Sequence, residues 1–300
     1  MNIKSLILAI TAIVFLSVPA AAQTRTVEHE YSEFDAISVS SGFKVTFVEQ
    51  DGYNAKFKVS DALEGHVQSY VKARTLYIGI DEKSVSKEVK RDFKGKNSDG
   101  PVLEATVYMP KLNSITLSDD CTFSTKHVLN SADFRMDLTG SSAVNNLNVN
   151  AGSAVISAGR KARLSSSNVK ADVITVNGEG NADIILEYTC KTLNVNNSGS
   201  AVLALNGQTE DAYVTTSGGA RLSLSGKAAK LNVSGKGGSS KIDAATLSSD
   251  DVSVSLDGAE LSVAPANNLS LDLGKGASVT YSGDPMIKIV KIQNSTVTRE

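Results

Sequence analysis

The chain has 300 residues, room for one or two domains, with 30 basic and 32 acidic side chains and a net charge of −2. That balance leaves no global electrostatic case for binding nucleic acid or an acidic membrane surface. Tryptophan is absent and aromatics make up only 5%, in a background of Ser, Asn, Thr, Gly, Val, Leu and Ala that suits many short strands joined by tight turns.

Residues 1–22 read as a secretory signal peptide. Lys4 supplies the basic start, residues 6–18 the apolar stretch, and Ala20-Ala21-Ala22 the cleavage site before Gln23. The apolar run is short for a membrane span of ~20 residues. The chain is therefore expected to be exported to the periplasm, the outer surface or the extracellular medium, with no transmembrane segment after cleavage. Cys121 and Cys190 are the two cysteines, and export would permit a disulfide. Their separation argues for two unbridged thiols instead, as three to four stacked coils would hold them ~15 Å apart.

Residues 23–110 read as an N-terminal β cap. After a polar lead-in, Phe34, Ile37 and Val39 alternate with polar residues. So do Phe43, Val45 and Phe47, and then Tyr53, Ala55, Phe57 and Val59. This pattern predicts a meander of half-buried antiparallel strands, with Asp51-Gly52 as a hairpin turn. Residues 61–70 fit a short helix, with Asp61 as N-cap and Glu64 three residues on, or an extended arm. Leu76, Ile78 and Ile80 form a further strand. Residues 81–100 interleave Lys and Arg with Asp and Glu, and read as a solvated loop or short exposed helix. Leu103, Ala105, Val107 and Met109 alternate once more.

From 111 to 285 a repeat takes over. Its apolar column Ile184, Leu203, Leu222, Ile242, Leu261, Val279 steps by 19, 19, 20, 19 and 18 residues. A fixed period of that size means a solenoid. A second column, Val176, Val195, Val214, Val233, Val254, Leu271, places apolar residues on another side of each coil. Stacking would bury both columns and pair each strand with its copy in the next coil. Glycines recur between the columns at Gly178, Gly199, Gly218, Gly235 or Gly237, Gly258 and Gly274 or Gly276, where φ > 0 is expected. The small residues Ala182, Ala201, Ala220, Ser240, Ala259 and Ala277 suit a tight corner. The connectors are too short and polar for a leucine-rich repeat, and no six-residue period supports a left-handed helix. Copies at 134–143 and 147–154 stand only 11 residues apart, and residues 160–172 do not register. About nine coils are expected over 112–283. Ile287, Ile289 and Ile292, within 286–300, would form a closing strand and tail.

The residues Phe34-x-x-Ile37-x-Val39, Gly42-Phe43-x-Val45, Val107-Tyr108-Met109-Pro110-Lys111-Leu112-x-x-Ile115 and Tyr281-Ser282-Gly283-Asp284-Pro285 stand out beside the repeated turns. With them the chain resembles the head-GIN domain family of bacterial exported proteins, described as putative autotransporter adhesins, over roughly residues 30–295. The resemblance implies an all-β fold, a right-handed parallel β-helix with an N-terminal antiparallel β cap. It also implies an adhesive role.

Candidate chemistry is sparse. Extracellular β-helices include polysaccharide lyases and hydrolases, which need clustered carboxylates. The acidic pairs of the solenoid are Asp119-Asp120 and Asp250-Asp251, each beside Ser, and they read as turn formers. Gly178-Glu179-Gly180-Asn181-Ala182-Asp183 departs by one residue from a calcium-binding nonapeptide and occurs once. Gly235-Lys236-Gly237-Gly238 lacks the order of a phosphate loop. His29, His66 and His127 have no ligand spacing. No catalytic, cofactor-binding or metal-ligating residue is nominated, and no cofactor is expected. The function expected is a noncatalytic envelope interaction module whose partner is a protein or a glycan. The alternatives are a self-associating structural rod and a polysaccharide-degrading enzyme.

Overall fold

The computed structural model describes residues 23–93, 100–237 and 239–300. The signal-peptide expectation, on residues 1–22, lies outside them. The chain forms a right-handed parallel β-solenoid of about 10 turns with coils of ~19 residues. No helix among the described residues is long and apolar enough to cross a membrane.

Each regular coil has three sides. On the first, the Ile184, Leu203, Leu222, Ile242, Leu261, Val279 column lies in register and is buried throughout. On the second, Val176, Val195, Val214, Val233, Val254 and Leu271 do the same. The third side carries Leu129, Val149, Val169 and Tyr188, then Gly207 and Gly226. The sequence pattern shows this third column poorly, because glycines interrupt it. Alternation with period two sends these residues inward and their neighbours outward. Full burial of each aliphatic side chain contributes ~1.5–3 kcal/mol, summed over one continuous core.

The corner between the second and first sides is the most regular feature. Asp119, Gly140, Arg160, Gly180, Gly199, Gly218, Gly237, Gly258 and Gly276 all hold positive φ there. Backbone bonds climb this corner from turn to turn, as in Ser200 N–H to the Gly180 carbonyl (2.7 Å) and Gly219 N–H to the Gly199 carbonyl (2.7 Å). Directly after it runs the small column, buried from Cys121, Ser142 and Ala162 through Ala182, Ala201, Ala220, Ser240, Ala259 and Ala277. Cys121 is thus a corner filler, and both cysteines are free thiols. Of the glycines expected at positive φ, Gly178 departs. The left-handed residue in its coil is Gly180, and Gly178 faces inward, where a Cβ would sit 2.5 Å from Leu203 Cδ1. Glycine there serves close packing and not backbone freedom.

The copies at 134–143 and 147–154 are not equivalent: the first begins on the second side and the other on the third, with Ala143–Asn145 on the first side between them. Val128–Leu138 runs over the third and second sides and pairs with Asn148–Ala158 along both. Residues 160–172 are an ordinary stretch of coil with a bulge between Leu164 and Ser167, where Ser167 takes the inward position that Leu186 holds in the next turn. The buried Ser167 hydroxyl accepts from Leu147 N–H (3.2 Å). A polar residue in the apolar column is what hides the register.

The N-terminal region differs from a simple meander. Ala36–Val39 and Lys44–Glu49 are already parallel rungs of the solenoid, paired to Ser114–Leu117 and Thr122–Thr125. Thr75–Ile80 and Leu103–Met109 stack on their other edges, also parallel. The second pass of the chain therefore lies outside the first. Asp51-Gly52 does turn the chain, with Gly52 at φ 99°. The strands it joins do not form a hairpin, because Leu103–Met109 sits between them and pairs antiparallel with Asn54–Ser60. Thr24–Glu30 and Val67–Lys72 complete the antiparallel cap. Phe34, Phe43, Phe47 and Phe57 fill this end of the core. Residues 61–70 become a 3-10 helix, Asp61–His66, followed by a strand. Asp61 and Glu64 both pair with Arg25 rather than capping that helix. In the charged loop Ser86 caps a short exposed helix, Lys87–Asp92.

Candidate functional surface

The coils carry no long insertion, so chemistry is left to the outward positions, and the two broad faces use them differently. On the first side, Asp183, Val202, Arg221, Lys241, Glu260 and Ser278 form one outward row. Ala204, Ser223, Asp243, Ser262 and Thr280 form the next. All but Asp183 line a trough of about 420 Å³. Lys241 Nζ pairs with Glu260 Oε2 at 2.8 Å, with both side chains more than half exposed. The exposed pairs of this face are worth ~0–1 kcal/mol each.

The second side carries two adjacent outward rows that are uncharged over the same length, bordered by a third row with Asp211, Lys230 and Asp251. The uncharged rows are Thr175, Asn194, Tyr213, Asn232, Ser253, Ser270 and Ser157, Asn177, Asn196, Thr215, Ser234, Ser255. Charge returns only at the ends of the strip, with the Arg135–Asp137 pair (2.6 Å) at one and Asp272 beside Lys291 at the other. Part of the strip is tied into a ladder: Asn196 Nδ2 donates to Asn177 Oδ1 (2.9 Å), and Asn177 Nδ2 donates to Ser157 Oγ (3.1 Å). Farther along, the side chains of Asn194, Asn232, Ser253 and Ser255 bond to nothing else among the described residues. Tyr213, 48% exposed, borders a depression of about 320 Å³ lined by Thr215, Asn232, Ser234, Ser253 and Ser255.

The acidic pairs do not assemble a catalytic site. Asp119 is one of the left-handed corner residues, and its carboxylate accepts from Ser41 N–H (3.1 Å) and Ser118 Oγ (3.3 Å). Several coils away, on a rung paired with Lys230, Asp251 accepts from Asn268 Nδ2 (2.6 Å). Asp250 lies within the strand Lys241–Asp257 rather than in a turn. His66 Nδ1 lies 2.6 Å from Ser84 Oγ, while His29 and His127 pack against Phe57 and Phe47. Among the described residues no group of three or more His, Cys, Asp or Glu side chains is placed to hold a metal ion. Burial pushes the Cys121 thiol up to about 11, and burial likewise raises Cys190, whose Sγ lies 3.5 Å from Thr209 Oγ1. Neither thiol is primed as a nucleophile.

The architecture defines a capped parallel β-solenoid with its variable chemistry on its outer faces. The chain belongs to the family described as "putative auto-transporter adhesin, head GIN domain", which matches residues 33–157, 153–222 and 210–285. Three solved structures are similar to it. A putative adhesin from Parabacteroides merdae is 16% identical (TM-score 0.48) and one from Parabacteroides distasonis 17% identical (TM-score 0.48). A putative lipid binding protein from Parabacteroides distasonis is 16% identical (TM-score 0.47). In each case 93% of this chain and 97% of the other are covered. No curated protein matches the sequence.

Proposed function

We propose that the protein is a noncatalytic, exported interaction module of the bacterial envelope, adhesin-like in role. The observation that carries this reading is the long uncharged strip on the second side, flat and rich in unspent donors and acceptors. It belongs to a solenoid whose acidic pairs stand several coils apart, with Asp119 and Asp251 each accepting a hydrogen bond. Fractionation of producing cells, followed by capture of purified protein on isolated envelopes, tests the reading. The protein is expected in the envelope or medium and should bind envelopes saturably. Retention in the cytoplasm, or no capture, would contradict it.

One observation favours a second reading, end-to-end self-association. Ile287, Ile289 and Ile292 continue the columns of Leu269, Leu271 and Leu273. Those leucines are fully buried, whereas Ile289 is 62% exposed and neighbouring Val290 61%. The core stands open at this end, beside an unpaired strand edge. Because the other end is closed by antiparallel strands, the product would be a dimer, not a filament. Sedimentation velocity should show a concentration-dependent dimer that Ile289→Lys abolishes. A monomer at all concentrations would exclude it.

A further inference from the structure

We infer that the uncharged strip around Tyr213 binds a neutral polysaccharide lying along the solenoid axis. The inference rests on the interaction-module reading and names the ligand class for its contact face. It starts from charge. Two adjacent outward rows carry only Asn, Ser, Thr and Tyr from Ser157 to Ser270, although 21% of the chain is charged. Within these two rows an ionic ligand would meet no counter-charge. A neutral one avoids stripping water from fixed ions, the largest desolvation cost on a protein surface.

Tyr213 supplies the second element. It is an exposed aromatic ring on an otherwise flat, hydrophilic sheet, and it stacks on no other ring among the described residues. Tyr70, the other strongly exposed aromatic, lies stacked on Tyr77 in the cap (5.2 Å, 15°). A free ring face of this kind suits the C–H face of a sugar, being apolar at its centre with a polar tip.

The third element is the lattice around the ring. Asn194 and Asn232 flank Tyr213 on the rungs before and after, and Thr215 stands beside it between Asn196 and Ser234. Each amide offers donors and an acceptor in one plane, the complement of adjacent sugar hydroxyls. The free side chains of Asn194, Asn232 and Ser253 leave that capacity unspent. These groups repeat every ~4.8 Å along the axis. A shallow depression with periodic partners fits a polymer with periodic hydroxyls better than a single small molecule, which would need enclosure on most sides. A protein partner would need an apolar centre within the contact, and this strip offers one ring. The flanking charges, Asp211, Lys230 and Asp251 on one edge and Glu179, Lys236 and Asp257 on the other, alternate in sign. They create no net field that would draw a polyanion.

The test is affinity electrophoresis and calorimetry of the purified protein against soluble glucan, mannan, galactan and chitin oligosaccharides. Polygalacturonate and heparin serve as charged probes. Binding to at least one neutral probe is expected. Tyr213→Ala and the isosteric Asn232→Asp should each weaken it at least tenfold without changing the melting temperature, and Lys241→Ala on the first side should leave it unchanged. Failure to bind any neutral probe, binding of the polyanions alone, or neutral binding indifferent to both strip variants would overturn the inference. If the protein is captured by envelopes through a protease-sensitive receptor yet ignores the neutral panel, the ligand class falls while the interaction-module reading stands. If it binds neither, both fall.

Discussion

The two broad faces of this solenoid share one core and differ outside it. Leu203 and Leu222 under the first face are as buried as Val214 and Val233 under the second, and both sets repeat at the same coil period. Outward, the first face mixes Asp183, Arg221, Lys241, Asp243 and Glu260 across its rows, whereas the second keeps two adjacent rows free of charge over the same rungs and confines Asp211, Lys230 and Asp251 to its edge. Folding requires only that outward residues tolerate an extended backbone, and Lys or Glu would do so as readily as Asn or Ser. The contrast therefore carries information that the core does not. A solvated face keeps its charges for solubility, and a face that must shed water onto a neutral partner is better without them.

Breaking the comparison from within gives the largest effects. Val214→Asp under the uncharged face and Leu203→Asp under the charged face each bury an unpaired carboxylate. Both should cost more than ~4 kcal/mol and abolish cooperative unfolding in urea. A large difference between the two would show that the faces do not share one core. Next comes the corner that joins them. Gly218→Ala forces a Cβ at φ 73°, 3.0 Å from the Gly199 carbonyl oxygen, and should cost ~1–2 kcal/mol by chemical denaturation. The same corner tolerates Arg160 at φ 61°, so Arg160→Gly should be neutral or mildly stabilising.

A smaller effect concerns pH. The Cys121 thiol, raised to about 11 by burial in the corner column, holds its proton more tightly in the folded chain than in the unfolded one. Its contribution is complete below an ordinary thiol pKa of about 9 and is lost as pH rises towards 11. The stability gap between the wild type and Cys121→Ala should therefore narrow across that window in melting temperatures taken from pH 8 to 11. A constant gap would contradict the burial argument. Smallest of all, Lys241→Ala removes an exposed pair with Glu260 and should change stability by less than ~0.5 kcal/mol.

Much of the solenoid is visible in the sequence because its inward columns and corner residues obey strict local rules. Ile184 through Val279 can be registered by eye, and Ala182 through Ala277 mark the corner. The register blurs where a polar residue takes an inward place. Ser167 does so near residue 167, and buried Asn197 and Thr216 do so in the column of Gly178. Asn197 is held by its amide donating to the Arg221 carbonyl (2.9 Å), a partner 24 residues away that no local pattern signals. The N-terminal region was legible as strands and not as topology. Alternation at Lys44–Glu49 and Asn54–Ser60 is the same whether they pair with each other or with Leu103–Met109. The uncharged strip is hardest to see, since outward Asn, Ser and Thr look like any solvated strand. Only the register, which aligns Asn194, Tyr213 and Asn232 on adjacent rungs, turns scattered polar residues into a surface.

The central claim is that the uncharged face is the contact face. A matched pair of lysine substitutions tests it most directly, Ser253→Lys on the uncharged side and Ser223→Lys on the charged side, both at exposed outward positions. Capture on isolated envelopes should be lost with Ser253→Lys and kept with Ser223→Lys, with equal melting temperatures for the two. Equal capture by both variants, or loss only with Ser223→Lys, would contradict it.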